Sequence, residues 1–290
     1  MFVFKAAVVG AGVMGGEIAQ VIASADIPVV LKDVDQKFVD AGLQKAREVT
    51  QGQVAKLVKK GRATQEEADA QRDRILGLIT GTTSYDEFGD VDFVIEAVPE
   101  KMAIKHAVFA ELDAATPGHA ILASNTSGLS ITEISEAVQR PEKVVGFHFF
   151  WPASYMRLIE VIEGEDTSPE TAQAAANFAQ AIKKMPVRCA EVPGFVVNRI
   201  LTSTAAEIWR YQDETGTPVE AIDEALAASG VVPMGPFRLS DMSGLDTTLK
   251  VARDMVDAYG DRFYVHQGME KLVEQGNLGA KTGKGFYEHS

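Results

Sequence analysis

The 290-residue sequence holds a single cysteine, Cys189, which excludes an internal disulfide and any zinc site built from several cysteines. A reducing, intracellular compartment is the simplest home for such a chain, and a cytoplasmic location is expected. No apolar run is long enough to span a membrane. The apolar start, MFVFKAAVVG, has no small-residue cleavage site behind it and leads into a glycine-rich turn, so it reads as a strand and not as a signal peptide. Basic residues are also scarce: 28 against 41 acidic ones leave a formal charge of −13, which argues against general binding to nucleic acid. The histidines are His106, His119, His148, His266 and His289; no two have the i, i+4 spacing of a helical metal site, and no metal is expected. Internal repeats and low-complexity tracts are absent.

What remains is the composition of an ordinary globular protein, 46 % apolar and 24 % charged, long enough for two domains and a sizeable core. Short apolar runs alternate with helical patterns in the N-terminal part, as in a parallel sheet with crossover helices. The runs are Ala6 to Val9, Val29 to Leu31, Val91 to Val98, Ala120 to Ala123, Val144 to Phe149 and Leu158 to Ile162. Between the first two, Ile18, Val21, Ile22 and Ala25 fall on one helical face. Ser130 with Glu133 predicts a capping box, and Ser168-Pro169 a helix start with proline at its first position. From about Gln36 to Ile79 the chain is charged and helical over more residues than one crossover needs, which predicts a helical excursion from the sheet. After Pro193-Gly194 the strand signals stop, and Val197, Ile200, Leu201, Thr204 and Ile208 line one helical face. The expectation is an α/β fold: a Rossmann-type, mostly parallel sheet over residues 1–190, with a helical hairpin, and a smaller all-α domain over 191–290.

Gly10-Ala11-Gly12-Val13-Met14-Gly15 follows the first strand and opens the first helix, the context that a dinucleotide fingerprint requires. Gly10 permits the tight turn, Gly12 leaves room for a pyrophosphate, and Gly15 allows close packing, while the helix N-terminus offers free N–H donors. Asp33, at the end of the second strand, can accept hydrogen bonds from the adenosine ribose and would repel a 2′-phosphate, so NAD is expected over NADP. Lys32 beside it works in the opposite direction. The tract Gly279-Ala-Lys-Thr-Gly283-Lys284-Gly285 is one residue short of a phosphate loop and lacks the hydroxyl after the lysine, so it is set aside. His148 lies at the carboxyl end of its strand, with Glu160 on the next. Such a pair suits proton abstraction from an alcohol during hydride transfer, and it equally suits a hydrogen-bonded structural histidine.

Five segments together make the chain resemble the L-3-hydroxyacyl-CoA dehydrogenase family along its whole length. They are Gly10 to Gly15; Ser124-Asn125-Thr126-Ser127; Gly146-Phe-His148-Phe-Phe150 with Leu158-Ile-Glu160-Val161; Pro193-Gly-Phe-Val-Val-Asn198-Arg199; and Pro233-Met-Gly-Pro236 with Asp241 and Gly244-Leu-Asp246. The resemblance implies His148 as base for alcohol oxidation and acid in reverse, Glu160 as its orienting partner, Ser127 on the reacting oxygen, and Asn198 on the acyl substrate. It further implies that Val13 and Met14 belong to the cofactor turn and that Glu100 and Lys105 contact the nicotinamide half of NAD. In the absence of a cofactor role, Glu100 reads as a helix-start carboxylate and Lys105 as a solvated lysine. Lys56, Lys59, Lys60 and Arg62 crowd the helical hairpin, where the family binds the nucleotide end of coenzyme A. Lys56 and Lys60 are the candidates for phosphate contact, against the alternative of a solvated helix face. Trp151 departs from the family pattern, which has asparagine there, and the indole could stack in the site, crowd it, or turn outward.

The implied activity is reversible NAD-dependent oxidation of an L-3-hydroxyacyl-CoA, short-chain in first expectation, by a stand-alone unit that pairs as a homodimer through the helical domain. No nucleic-acid or membrane partner is expected. Two alternatives stay open: a dehydrogenase of a free hydroxy acid, and a non-catalytic, crystallin-like protein that binds NAD.

Overall fold

The computed structural model describes residues 2–289, which form two compact units, one ending at Glu191 and the other starting at Val192. In the first unit the strands are β1 (Ala6–Val9), β2 (Val29–Lys32), β3 (Ile79–Thr82), β4 (Phe93–Glu96), β5 (Ile121–Ser124), β6 (Val144–Phe149), β7 (Leu158–Glu163) and β8 (Met185–Ala190). They make one sheet in the order β3-β2-β1-β4-β5-β6-β7-β8, parallel throughout except where β6 meets β7. This is the Rossmann-type sheet expected from the alternation of runs and helices.

Central strands β1, β2, β4, β5 and β6 are buried along their whole length, which explains why they are near-continuous Val, Ile, Ala and Phe. Apolar runs predict six strands, and the structure adds β3 and β8. Both lie at the sheet edges with much of their surface exposed, so neither carries an apolar run. Pro186 in β8 is tolerated because an edge strand can spare an N–H.

The helices of this unit are α1 (Val13–Ala23), α2 (Gln36–Lys59), α3 (Gln65–Gly77), α4 (Met102–Ala115), α5 (Ile131–Ser135) and α6 (Pro169–Ala181). The predicted excursion is the pair α2 and α3; α3 opens on a full capping box, Thr64 with Glu67. The predicted box at Ser130 is only half made. Ser130 accepts from the Glu133 N–H at 3.0 Å, but its hydroxyl and the Thr132 N–H and hydroxyl all go to Glu191. Pro169 does occupy the first turn of α6, behind a Ser168 cap.

The second unit packs α7 (Val197–Thr215), α8 (Val219–Ala228), α9 (Pro236–Ser243), α10 (Leu245–Tyr259) and α11 (Gln267–Glu274) around Trp209, Phe237, Leu245, Leu249 and Met269. On α7 the buried residues are Thr202, Ala206 and Trp209, while Ile200, Leu201 and Thr204 of the predicted stripe face outward. The tract at Gly279 to Gly285 is a bridged turn wrapped on Asp241, whose carboxylate accepts the Phe286 and Tyr287 N–H groups at 2.9 Å each. Gly279 and Gly285 serve that close approach, since a Cβ would fall 2.3 Å from the Asp241 carbonyl oxygen on the first and 2.2 Å from Asp241 Oδ1 on the second.

Candidate active site

The turn between β1 and α1 leaves no alternative to glycine at two points. Gly10 has φ +103°, and a Cβ there would lie 2.5 Å from the Ala97 carbonyl oxygen. A Cβ on Gly15 would lie 1.7 Å from the Gly10 oxygen, so Gly15 closes the helix onto the turn itself. Gly12, by contrast, faces open space, and neither a side-chain cap nor an acidic side chain occupies the first turn of α1. Exposed Val13 and half-buried Met14 begin the helix above it. Uncapped N–H groups at a positive helix end, next to open space, fit a pyrophosphate.

Asp33 follows β2, and its Oδ2 accepts the Ala11 N–H at 2.7 Å while Oδ1 accepts the Val34 N–H at 2.7 Å. The carboxylate is therefore fixed against the glycine turn, with lone pairs left for ribose hydroxyls. Lys32 does not offset it, because its side chain is buried with the ammonium 4.1 Å from the centre of the Tyr85 ring.

Behind the ends of β4 and β5 lies a buried charged network. Glu96 accepts from Lys105 Nζ at 2.8 and 2.9 Å, from the Val98 N–H at 2.7 Å and from the Ser124 hydroxyl at 2.6 Å. Lys105 reaches Glu100 at 3.3 Å, and Glu100 Oε1 accepts from the Thr126 hydroxyl (2.7 Å), the Ser127 N–H (2.9 Å) and the Ser127 hydroxyl (3.2 Å). Burial raises the Glu100 pKa, but the Lys105 ammonium and the bonds from Thr126 and Ser127 outweigh it and hold the carboxyl below its ordinary value. Lys105 is thus neither solvated nor at the surface: its side chain is 1 % exposed and locked between two carboxylates. Its ammonium is one ion pair away from the Ser127 loop, through Glu100. Asn125 ties the same loop to the neighbouring strand, its Oδ1 accepting the Phe149 N–H at 2.8 Å.

His148 and Glu160 are directly opposed across the antiparallel β6 and β7 ladder, so the register alone places both side chains on one face. His148 Nδ1 stands 2.8 Å from Glu160 Oε2, and Glu160 is wholly buried. A carboxylate at that distance selects the tautomer with hydrogen on Nδ1 and the basic lone pair on Nε2. The Phe150 ring lies 4.6 Å from the imidazole ring, centre to centre. Trp151 is 56 % exposed, ahead of a cis bond to Pro152. Lys56, on the last turn of α2, bonds the Tyr155 hydroxyl and sits 4.6 Å from the centre of its ring; Lys60, the residue that ends α2, is exposed. Asn198 belongs to the second unit, half-buried in the first turn of α7.

Sequence reading missed Glu96, Ser124, Asn125 and Thr126 as the frame of the Ser127 loop. One signal was available: a glutamate closing an otherwise apolar, fully buried strand requires a buried partner.

Fold and site together define a nicotinamide-dinucleotide dehydrogenase with a histidine and carboxylate pair on neighbouring strands β6 and β7. Residues 5–192 match the family model described as 3-hydroxyacyl-CoA dehydrogenase, NAD binding domain, and residues 194–289 match the C-terminal domain of the same family. The sequence is 40 % identical to a 3-hydroxybutyryl-CoA dehydrogenase of Clostridioides difficile over 99 % of both chains. It is also 40 % identical to a probable 3-hydroxybutyryl-CoA dehydrogenase of Deinococcus radiodurans, over 98 % of this chain and 100 % of that one. The crystal structure of (S)-3-hydroxybutyryl-CoA dehydrogenase PaaH1 from Ralstonia eutropha superposes with a TM-score of 0.91 at 34 % identity, covering 100 % of each chain. The chain belongs to the 3-hydroxyacyl-CoA dehydrogenase family, NAD-dependent oxidoreductases that interconvert 3-hydroxyacyl-CoA and 3-oxoacyl-CoA. Among the described residues no helix is long and apolar enough to cross a membrane.

Proposed function

We propose that this chain oxidises a short-chain L-3-hydroxyacyl-CoA, such as 3-hydroxybutyryl-CoA, reversibly to the 3-oxoacyl-CoA, and that His148 is its proton acceptor. The observation that carries this reading is the 2.8 Å contact of His148 Nδ1 with the buried Glu160 carboxylate. Nε2 takes the proton of the substrate hydroxyl as the carbon–hydrogen bond breaks, and Glu160 stabilises the imidazolium so formed. Ser127 stays anchored to Glu100 through its backbone N–H at 2.9 Å, while its hydroxyl exchanges its 3.2 Å bond to Glu100 for one to the reacting oxygen. NAD supplies the hydride acceptor when bound, on the open glycine turn with Asp33 at the ribose. In the reverse direction the imidazolium returns its proton to the alkoxide. Asn198 contributes to acyl binding, and Lys56 and Lys60 offer charge to the coenzyme A phosphates. The relatives named for 3-hydroxybutyryl-CoA support the short chain length.

A cytoplasmic homodimer accompanies this reading. Support comes from the lone cysteine and from the outward stripe on α7, where Ile200 and Leu201 are more than half exposed. The test is turnover of acetoacetyl-CoA with NADH, alongside NADPH and the free acid acetoacetate. Fast NADH oxidation with the thioester alone is expected; preference for the free acid moves the substrate to hydroxy acids, and NADH binding without any turnover leaves a binding protein.

A further inference from the structure

The loop 150–157 joins the strands that bear His148 and Glu160, and two buried charges outside the proposed reaction grip it from different elements. Lys184, just past α6 and 8 % exposed, donates to the carbonyl oxygens of Ala153 at 2.6 Å and Met156 at 2.7 Å. Glu17, on α1 and 2 % exposed, accepts the Ser154 N–H and hydroxyl at 3.1 Å each. Its other oxygen lies 3.4 Å from Lys45 Nζ, which adds a tie to α2.

Buried charge is a poor way to gain stability, since apolar residues of similar volume often do as well or better. What these two charges supply is position. An ammonium between two carbonyls fixes both ends of a four-residue segment, and a carboxylate taking an N–H and a hydroxyl of one residue fixes its middle. Glu17 stands one helical turn beyond the glycine turn, so the grip links the dinucleotide helix to the loop that carries Trp151.

We propose that Glu17 and Lys184 are positioning residues that act through the backbone of residues 153–156 to hold Trp151 and the His148 hairpin at a fixed place relative to the cofactor turn. The inference rests on the dehydrogenase reading for its consequence in turnover. A displacement of about 1 Å at a reacting geometry can cost on the order of 100-fold. Lys184→Met is therefore expected to lower kcat at least about tenfold while the NADH dissociation constant stays within about threefold. Lys184→Arg, which keeps charge and donors, should recover much of the loss.

The experiment measures kcat, KM and NADH affinity for Lys184→Met, Lys184→Arg and Glu17→Gln, with amide hydrogen exchange of residues 153–156 on the same samples. Faster exchange together with a fall in kcat and rescue by arginine supports the proposal. Unchanged kcat, with or without faster exchange, overturns it, as does a lowered melting temperature alone. Should Lys184→Met not fold, Ser154→Ala removes only the hydroxyl arm and is read the same way, a smaller fall in kcat supporting the proposal and none overturning it. Wild-type protein that turns over no acyl-CoA refutes the dehydrogenase reading instead, and the exchange measurement still reports whether the two charges hold the loop.

Discussion

Replacing Glu160 by glutamine removes one negative charge from a completely buried position while keeping side-chain length and an acceptor oxygen. The ground state for alcohol oxidation loses little, because a neutral imidazole can still donate from Nδ1 to an amide oxygen. The transition state loses more, because the imidazole is then becoming positive. At the 2.8 Å separation the attraction between unit charges is about 6 kcal/mol at an effective dielectric of about 20. Desolvation of the carboxylate offsets part of it, and charge-assisted hydrogen bonds net about 1.5–3 kcal/mol. Taking about 3 kcal/mol, kcat for oxidation of 3-hydroxybutyryl-CoA falls on the order of 100-fold. KM for substrate and for NAD should move less than about threefold, since removing an interaction made only in the transition state leaves binding alone. The assay is steady-state appearance of NADH with saturating substrates, on protein whose circular dichroism and melting match the wild type. A fall in kcat below about threefold, or a rise in KM with kcat intact, refutes the assignment of Glu160 to the developing imidazolium.

Gly15→Ala places a methyl 1.7 Å from the Gly10 oxygen, so the turn must open; NADH binding followed by nicotinamide fluorescence should weaken at least about tenfold, and unaltered affinity would show the turn to be adaptable. Lys183 holds φ +62° on an exposed site, and Lys183→Gly should stabilise the protein by about 0.5–1 kcal/mol in urea unfolding, whereas destabilisation would mean that the side chain makes a needed contact. In the second unit His266 Nδ1 accepts the Met269 N–H at 2.9 Å and Nε2 meets Gln212 at 2.7 Å, a neutral arrangement. Burial lowers its pKa from the ordinary 6.5, with nearby Asp213 opposing. The unfolded chain then binds a proton that the folded one refuses, so stability is full above about pH 6.5 and is lost as pH falls below it. Melting followed from about pH 7.5 to about pH 5 should show this loss in wild type and less of it in His266→Gln; equal pH dependence in both would clear His266 of the effect.

The readability of this chain followed burial. Strands β1, β2, β4, β5 and β6 are shielded on both faces and must be apolar, so their runs stand out. Edge strands β3 and β8 obey no such demand, and Gly81 in β3 is shaped by a neighbour distant in sequence: a Cβ there would meet Val39 of α2 at 2.6 Å. The glycine turn was legible because its constraint is local, and the pairing of His148 with Glu160 because a two-strand hairpin brings them opposite each other. Lys105 was not, since a lysine in a helix reads as solvated until the sheet sets Glu96 against it. Glu17 and Lys184 are invisible for the same reason: the loop groups they hold lie 137 and 28 to 31 residues away.

The most direct measurement compares wild type and His148→Gln in the reduction of acetoacetyl-CoA by NADH, with NADH affinity determined on both. Turnover by the wild type, a loss on the order of 100- to 10,000-fold in the variant and equal NADH binding are predicted. Comparable rates in the two proteins would remove His148 from proton transfer, and a wild type that binds NADH yet reduces no acyl-CoA would contradict the assigned reaction itself.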